Sequence, residues 1–231
     1  MSLVFAHRGA HWEHVENTLA AFELAAEQGA DGVELDVRAT RDGQVVVFHD
    51  ADLARLGETR DGQPDTRLLA DLTLGELPQV GGAPIPKLSA VLDLVLGAGM
   101  QVNVEVKADG GAAAGVIESR SLEERSRIIV SSFLTEELDA FAEKLPHVRR
   151  ALLFDLIDER RTAYAQTCHG VHPHWELCTP DRVDRWKTLG LFVNAWTVND
   201  PADAVALMGM GLDALVTDNV PGVRKACRSQ S

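Results

Sequence analysis

The sequence has few of the features that mark specialised protein classes. Only three of its 231 residues are cysteines, Cys168, Cys178 and Cys227, and no two of them have zinc-finger spacing. This favours reduced structural thiols over a disulfide framework. Aromatic residues make up 5% of the chain, with one tyrosine. No apolar run is long enough for a signal segment or a membrane span, so we predict a cytoplasmic protein without stable membrane association.

Basic residues are also scarce. The chain has 22 Lys and Arg against 35 Asp and Glu, which gives a formal net charge of −13. Because a phosphate backbone requires clustered Lys and Arg, this balance argues against nucleic acid as a main partner and against docking on an anionic membrane surface, so we expect neither. A small anionic substrate remains compatible with it, because one metal ion or arginine can dominate the field inside a cleft.

What is present is a regular alternation of short apolar runs with longer amphipathic runs. The strand-like runs cover residues 3–7, 33–37, 102–107, 128–132, 150–154, 170–173, 192–196 and 214–217. Eight such units in a chain of this length predict an α/β protein with a TIM (β/α)₈ barrel, formed by residues 1–231 as a single domain. An open parallel sheet is the alternative, but residues 7–11 do not form the Gly-rich loop expected after its first strand.

A ninth strand-like run, residues 45–48, interrupts the alternation. Asp42-Gly43 precedes it, and Asp-Gly between apolar runs is typical of a β-hairpin. If these two residues form the whole turn, Asp36 lies directly opposite His49 on the same face of the hairpin.

Two segments look irregular. Residues 51–86 are polar and rich in Gly and Pro, and we predict that they form a small cap inserted after the strand-two hairpin. Residues 109–115 are rich in Gly and Ala, a composition that we interpret as a mobile loop.

Polar residues stand where the predicted strands end, which is the active face of such barrels. At the end of strand one, His7 can transfer protons near neutral pH and Arg8 can hold phosphate with its planar guanidinium. An ordinary strand end with a surface histidine is the structural alternative.

Glu34 and Asp36 are two residues apart on a strand, so both point to the same side. Two inward carboxylates require neutralisation, and a divalent cation with oxygen ligands is the natural partner. Glu105 would complete a three-carboxylate metal site, with Lys107 facing the same cavity as a phosphate contact. The structural alternatives are a salt-bridged pair for Glu34 and Asp36, and core packing for Glu105 and Lys107.

Other candidates are less specific. His49 returns on the hairpin to the level of Asp36, and Trp196 can either form a wall of the substrate pocket or pack in the core. Glu16 is not needed as a helix cap, so it is a candidate to orient His7 or Arg8. His172, in the group His169, His172 and His174, is the best candidate of a zinc-like cluster that lacks a convincing ligand set.

Taken in order, these motifs resemble the glycerophosphodiester phosphodiesterase family. The resemblance runs from residue 3 to about residue 222, and the motifs that carry it are His7-Arg8-Gly9, Glu16-Asn17-Thr18, Glu34-Leu35-Asp36, Asp42-Gly43, His49-Asp50, Glu105-Val106-Lys107, Trp196-Thr197-Val198-Asn199 and Thr217-Asp218. Each motif is weak alone, but the ordered set is highly specific.

The resemblance implies a barrel of the kind shared with phosphatidylinositol-specific phospholipase C. It implies Mg²⁺ or Ca²⁺ held by the three carboxylates, and His7 and His49 as the acid–base pair. It also implies phosphate contacts from Arg8 and Lys107, and Trp196 in the substrate wall. The expected reaction is hydrolysis of a small-molecule glycerophosphodiester to glycerol 3-phosphate and an alcohol.

The chain departs from the family pattern in or near the cap. Family members often have an Arg-Thr-Thr-like stretch where this chain has Arg55-Leu56-Gly57-Glu58-Thr59, and Pro-Thr-Leu where it has Pro86-Lys87-Leu88. Neither departure touches a proposed metal ligand, so both bear on which alcohol is preferred and not on the chemistry. Two alternatives remain: a phospholipase or lyase of the same barrel type that acts on lysophospholipids, and a non-catalytic protein that binds a metal or phosphate ligand.

Overall fold

A computed structural model describes residues 2–57 and 62–228 of the chain. Its strands within these ranges are β1 Leu3–His7, β2 Gly32–Ala39, β3 Val45–Val47, β4 Gln79–Val80, β5 Ala83–Pro84, β6 Gln101–Val106, β7 Ile128–Ser132, β8 Arg149–Phe154, β9 Gly170–Pro173, β10 Phe192–Ala195 and β11 Ala214–Thr217. Each of the eight strand-like runs of the sequence corresponds to one of them.

Helices follow the strands along most of the chain. They are α1 Leu19–Glu27, α2 Leu88–Gly97, α3 Gly110–Glu118, α4 Leu122–Ser126, α5 Thr135–Lys144, α6 Glu159–Ala165, α7 Pro180–Thr188, α8 Pro201–Gly209 and α9 Val220–Arg228. Across the described ranges, none of these helices has the length and apolar character needed to cross a bilayer.

The strands close into the predicted barrel. Eight of them pair in parallel in the order β1, β2, β6, β7, β8, β9, β10 and β11, and β11 pairs back to β1. Alternate residues of each strand face the helices or the barrel interior. Leu35, for example, is fully buried against the helical layer, whereas Glu34 and Asp36 on either side of it face inward. The TIM-barrel prediction is therefore confirmed.

The helix ends show why the helices begin where they do. Thr18 accepts a hydrogen bond from the backbone N–H of Ala21 and caps α1. Asp200 caps α8, and Pro201 occupies its first turn, where a missing N–H leaves no hydrogen bond unmade.

The predicted hairpin is present, but its predicted register is wrong. Val37 pairs with Val47, and the backbone N–H of Phe48 donates to the carbonyl oxygen of Asp36 at 2.9 Å, so Phe48 rather than His49 lies opposite Asp36. The turn has three residues instead of two, because Gly43 adopts φ +75° and adds a residue to the turn.

The predicted mobile loop at residues 109–115 is also a wrong prediction, since most of this segment is the first part of α3. Ala113 and Ala114 are fully buried, and the backbone N–H of Gly110 donates to Glu137 of α5 at 2.6 Å. The small residues that suggested a loop instead allow two helices to approach closely.

Residues 51–86 leave the barrel after β3 and return at α2. They contain short 3₁₀ helices at Leu69–Asp71 and Leu74–Glu76 and the small hairpin β4–β5; residues 58–61 of this predicted cap, which include Glu58 and Thr59, lie outside the described residues. A separate apolar cluster joins the segment to the barrel, formed by Val46, Phe48, Leu53, Leu69, Leu72, Val80 and Ile85.

Candidate active site

The strand register brings three carboxylates together. Asp36 pairs with Glu105 across β2 and β6, while Glu34 lies one interior position earlier on β2. One oxygen from each of Glu34, Asp36 and Glu105 lies within 4.8 Å of the other two. All three side chains are buried. We refer to these residues as the acidic triad.

The turn after β1 adopts an unusual backbone to reach the acidic triad. Arg8 has φ +55° and Gly9 has φ +82°. A Cβ atom on Gly9 would lie 2.7 Å from the backbone carbon of Ala21, so the turn packs tightly on α1. Asn17, with φ +58°, donates from its side-chain amide to Asp36 at 2.9 Å. Strand one and its turn are thereby joined to strand two.

Two cations lie against the acidic triad. The Nζ atom of Lys107 lies 3.1 Å from Asp36 Oδ1 and donates to Glu105. The Nε atom of Arg8 lies 3.1 Å from Asp36 Oδ2. Burial alone would lower the pKa of both cations, but the neighbouring carboxylates outweigh it and raise both pKa values.

The carboxylates of the triad respond differently to this environment. Burial, together with the charges of Asp36 and Glu105, raises the pKa of Glu34 well above its usual value. Burial and the charge of Asp36 raise the pKa of Glu105 to about 7. Burial would also raise the pKa of Asp36, but Lys107 and Arg8 lower it to about 2. Among the described residues, none donates a hydrogen bond to the buried Oε1 atom of Glu34.

Each of two histidines donates its Nδ1–H to an aspartate. His7 donates to Asp218 Oδ1 at 2.6 Å, and His49 donates to Asp50 Oδ1 at 2.6 Å. This arrangement leaves Nε2 of each ring for proton transfer, and Nε2 of His7 lies 3.9 Å from Glu34. Burial lowers the pKa of His49, although the nearby charge of Asp36 partly opposes this shift.

An arginine from the predicted cap connects both sides of the site. Arg55 donates from Nε to Asp50 at 2.6 Å and from its two terminal nitrogens to Glu16 at 2.6 and 2.8 Å. Glu16 in turn accepts a hydrogen bond from Arg8 at 2.9 Å. Arg55 thus binds both Asp50, which accepts the hydrogen bond from His49, and Glu16, which accepts the hydrogen bond from Arg8.

A small cleft of about 20 Å³ opens beside the triad, with room for about one water molecule. Its lining includes His7, Glu34, Glu105, His172 and Trp196. The indole N–H of Trp196 donates to the carbonyl oxygen of His172 at 2.8 Å, which fixes the ring as a wall.

The structure brings most of the sequence-predicted residues to one place. The network of ion pairs and hydrogen bonds, together with the cleft lining, contains the candidate site residues His7, Arg8, Glu16, Glu34, Asp36, His49, Glu105, Lys107, His172 and Trp196. Within residues 2–57 and 62–228, no group of side chains close enough together to hold a metal ion includes His169, His172 or His174. The zinc-like cluster is therefore absent from the described residues.

Sequence reasoning gave no role to some residues of the site. Asp218, quoted only within the Thr217-Asp218 motif, is the partner of His7, and β11, which it follows, pairs with β1 in a closed barrel, so the topology could have indicated this role. Arg55 lies in an irregular segment, and His11 lies in a turn, where no periodicity places a side chain.

Comparisons with known proteins agree with this geometry. Residues 7–221 match the model of the Glycerophosphoryl diester phosphodiesterase family. The chain is 32% identical to a glycerophosphodiester phosphodiesterase of Caldanaerobacter subterraneus subsp. tengcongensis over 94% of each chain. It is 30% identical to one of Bacillus altitudinis, over 94% of this chain and 95% of that one.

A solved structure of a phosphodiesterase also has the same fold. An Oleispira antarctica phosphodiesterase in complex with the product sn-glycerol-3-phosphate superposes with a TM-score of 0.84 at 29% identity, over 99% of this chain and 97% of that one.

Proposed function

The chain belongs to the glycerophosphoryl diester phosphodiesterase family, and on this premise we propose that it hydrolyses glycerophosphodiesters to glycerol 3-phosphate and an alcohol, with the help of a divalent cation. The observation that carries the proposal is the buried acidic triad, which stands beside a cleft lined by His7 and Trp196. The glycerol 3-phosphate product bound to the Oleispira antarctica relative supports the same substrate class.

We propose Mg²⁺ or Ca²⁺ as the cation. The donor set consists of carboxylate oxygens alone, which suits these hard ions, and the Oε1 atom of Glu34 offers an oxygen that no described residue satisfies with a hydrogen bond. When bound, such an ion neutralises charge on the phosphate and lowers the pKa of a hydroxyl beside it. Glu34, Asp36 and Glu105 would hold it.

His7 and His49 are proposed to move the protons. One Nε2 takes the proton of the glycerol hydroxyl next to the phosphate, and that oxygen attacks phosphorus to form a cyclic phosphate. The other imidazole protonates the departing alkoxide, and the alcohol leaves. Water then opens the ring, with the proton transfers reversed.

Arg8 and Lys107 are proposed as the phosphate contacts. Both cations lie within 3.1 Å of the triad, so they stand beside the position where a phosphate would meet the metal. Glu16 orients Arg8 through the hydrogen bond between them. Trp196 forms the wall, and His172 supports it through its carbonyl oxygen.

We also propose that residues 1–231 form a single domain in which residues 51–86 act as a cap. The separate apolar cluster that joins this segment to β3, and the reach of Arg55 to Glu16, support this view. The departures from the family pattern fall here, so we expect the cap to influence the preferred alcohol.

The test is release of glycerol 3-phosphate from a panel of glycerophosphodiesters, measured with Mg²⁺, with Ca²⁺ and with EDTA. We expect release with a metal and none with EDTA. If glycerol 3-phosphate is released neither with Mg²⁺ nor with Ca²⁺, the proposal is refuted.

A variant pair tests the histidine assignment. His49→Ala should lower the rate by roughly 10²–10⁴-fold, the usual range for loss of acid–base catalysis. His14→Ala is the control, because His14 is an exposed histidine outside the network. Wild-type turnover in His49→Ala would refute the assignment.

One observation favours the lysophospholipid alternative. Leu134 follows β7, and Leu156 and Ile157 follow β8, so three large apolar side chains, each at least 40% exposed, stand after adjacent strands on the active face. An acyl chain would bury them. Parallel assays with glycerophosphocholine and lysophosphatidylcholine separate the two substrate classes.

A further inference from the structure

A second group of possible metal ligands lies at the rim of the site. His7 and His11 donate from Nδ1 and Nε2 to the same oxygen, Asp218 Oδ1, at 2.6 and 2.7 Å. Two imidazole nitrogens and one carboxylate suit Zn²⁺ and similar ions, whereas the all-oxygen triad suits Mg²⁺ and Ca²⁺. We propose that His7, His11 and Asp218 form a separate Zn²⁺-selective site, and that an ion bound there inhibits the reaction by taking His7 out of proton transfer.

The positions of the two rings fit a shared ion. The imidazole centroids of His7 and His11 are 5.7 Å apart and the rings are inclined at 81°. With Zn–N bonds of about 2.0–2.1 Å and tetrahedral angles, two imidazoles on one Zn²⁺ have centres about 5–6 Å apart. The ligand atoms, now at hydrogen-bond distance, would have to separate by less than about 1 Å for the ion to replace the two protons.

The carboxylate of this site is held in place from behind. Asn199 donates from its side-chain amide to Asp218 Oδ2 at 2.7 Å and accepts from the backbone N–H of Asp218 at 2.8 Å. Asp218 Oδ1 therefore stays directed at the two rings. Metal ligands in proteins are commonly fixed by outer partners of this kind.

The surroundings favour a cation that arrives from solvent. Glu34 Oε2 lies 3.9 Å from Nε2 of His7, and Glu16 contributes negative charge at His11, with Arg8 as the opposing positive charge. The side chains of His7, His11 and Asp218 keep 21%, 23% and 14% of their surface exposed, so an ion can reach them.

The test uses His11→Gln, which keeps an N–H donor for Asp218 but removes the imidazole. His14→Gln is the matched control, because it makes the same change at an exposed histidine in the same segment. Zn²⁺ is titrated by calorimetry into each protein in excess Mg²⁺, and Co²⁺ absorption reports nitrogen ligation. We expect wild type and His14→Gln to bind one Zn²⁺, and His11→Gln to bind it at least about tenfold more weakly.

Inhibition is measured separately, with each rate divided by the rate of the same protein in Mg²⁺ alone. Zn²⁺ should slow wild type and His14→Gln more than His11→Gln. Equal Zn²⁺ affinity in wild type and His11→Gln, or no Zn²⁺ binding in excess Mg²⁺, would overturn the site. Zn²⁺ binding through His11 without inhibition would overturn the regulatory role. The inhibitory part rests on the proposed function, but the titration needs no substrate, so a failure of that function would be visible independently.

Discussion

Arg55 offers the sharpest test of how the network supports the reaction. We consider Arg55→Met, which removes the charge and the planar donor but keeps a side chain of similar reach. The change breaks one hydrogen bond to Asp50 and two to Glu16. We expect Asp50 to hold His49 less firmly and Glu16 to hold Arg8 less firmly.

The size of the effect follows from these contacts. Hydrogen bonds to charged groups contribute about 1.5–3 kcal/mol when protected from water. The Arg55 side chain is 45% exposed, so water competes and we reduce the figure to about 1–2 kcal/mol in total. If the loss falls on the transition state, kcat/KM decreases about 5–30-fold.

The assay is glycerol 3-phosphate release over a range of substrate concentration and pH. Without Arg55, the negative charge of Asp50 beside His49 is no longer offset by a cation. The pKa of His49 should therefore rise, even though Asp50 is less firmly positioned, and the limb of the pH profile that His49 controls should move to higher pH. Arg55→Lys keeps the charge but loses the planar guanidinium that donates to both carboxylates, so its kcat/KM should lie between those of wild type and Arg55→Met.

Arg67→Met is the matched control, because Arg67 pairs with Asp65 inside the predicted cap and is similarly exposed. It should leave both kcat/KM and the pH profile unchanged. If Arg55→Met has the same kinetics as Arg67→Met, the proposed role of Arg55 is wrong.

Three further predictions concern stability. Saturating Mg²⁺ or Ca²⁺, at about 100 times Kd, should stabilise the fold by about 2.7 kcal/mol and raise Tm by about 5–10 °C, and a Tm that responds to neither ion would count against the triad as a metal site. Burial lowers the pKa of His172 to about 3, so this residue stays neutral in the folded protein while the unfolded chain takes up a proton below about pH 6.5. The contribution of His172 to the free energy of unfolding is therefore complete above that pH and falls by about 2 kcal/mol at pH 5. Urea unfolding of His172→Gln should lack this loss. An equal loss in both proteins would contradict the reasoning. Gly9→Ala forces a Cβ to within 2.7 Å of Ala21 at φ +82° and should destabilise by about 2–4 kcal/mol. In the control, Gly43→Ala, φ is +75° but no described atom lies within 4 Å of the new Cβ, so the loss should be about 1 kcal/mol; similar losses would refute the packing argument.

The barrel could be predicted because its strands are short apolar runs separated by amphipathic helices, a pattern set locally. Strand bounds in the structure lie within about two residues of those expected. The hairpin register could not be predicted, because the conformation of Gly43 decides whether the turn has two or three residues. The Gly-Ala segment at the start of α3 was misinterpreted because small residues favour both flexible loops and close helix packing.

For the candidate site, the period of two along a strand placed Glu34 and Asp36 on one face, and the parallel register then brought Glu105 beside Asp36. Both relations follow from β-structure alone. The partners of the histidines do not all follow so directly. Arg55 reaches Glu16 from an irregular segment, 39 positions away, through a tertiary contact that no local pattern encodes.

The hydrogen bond between His7 and Asp218 joins residues 211 positions apart, at the ends of the two strands that close the barrel. A ribosome releases the chain from its N-terminal end, so His7 emerges long before the carboxylate that orients it. Until β11 docks against β1, the imidazole lacks its aspartate partner and can rotate. The orientation of His7 that is proposed for proton transfer therefore forms only after the last strand has been inserted.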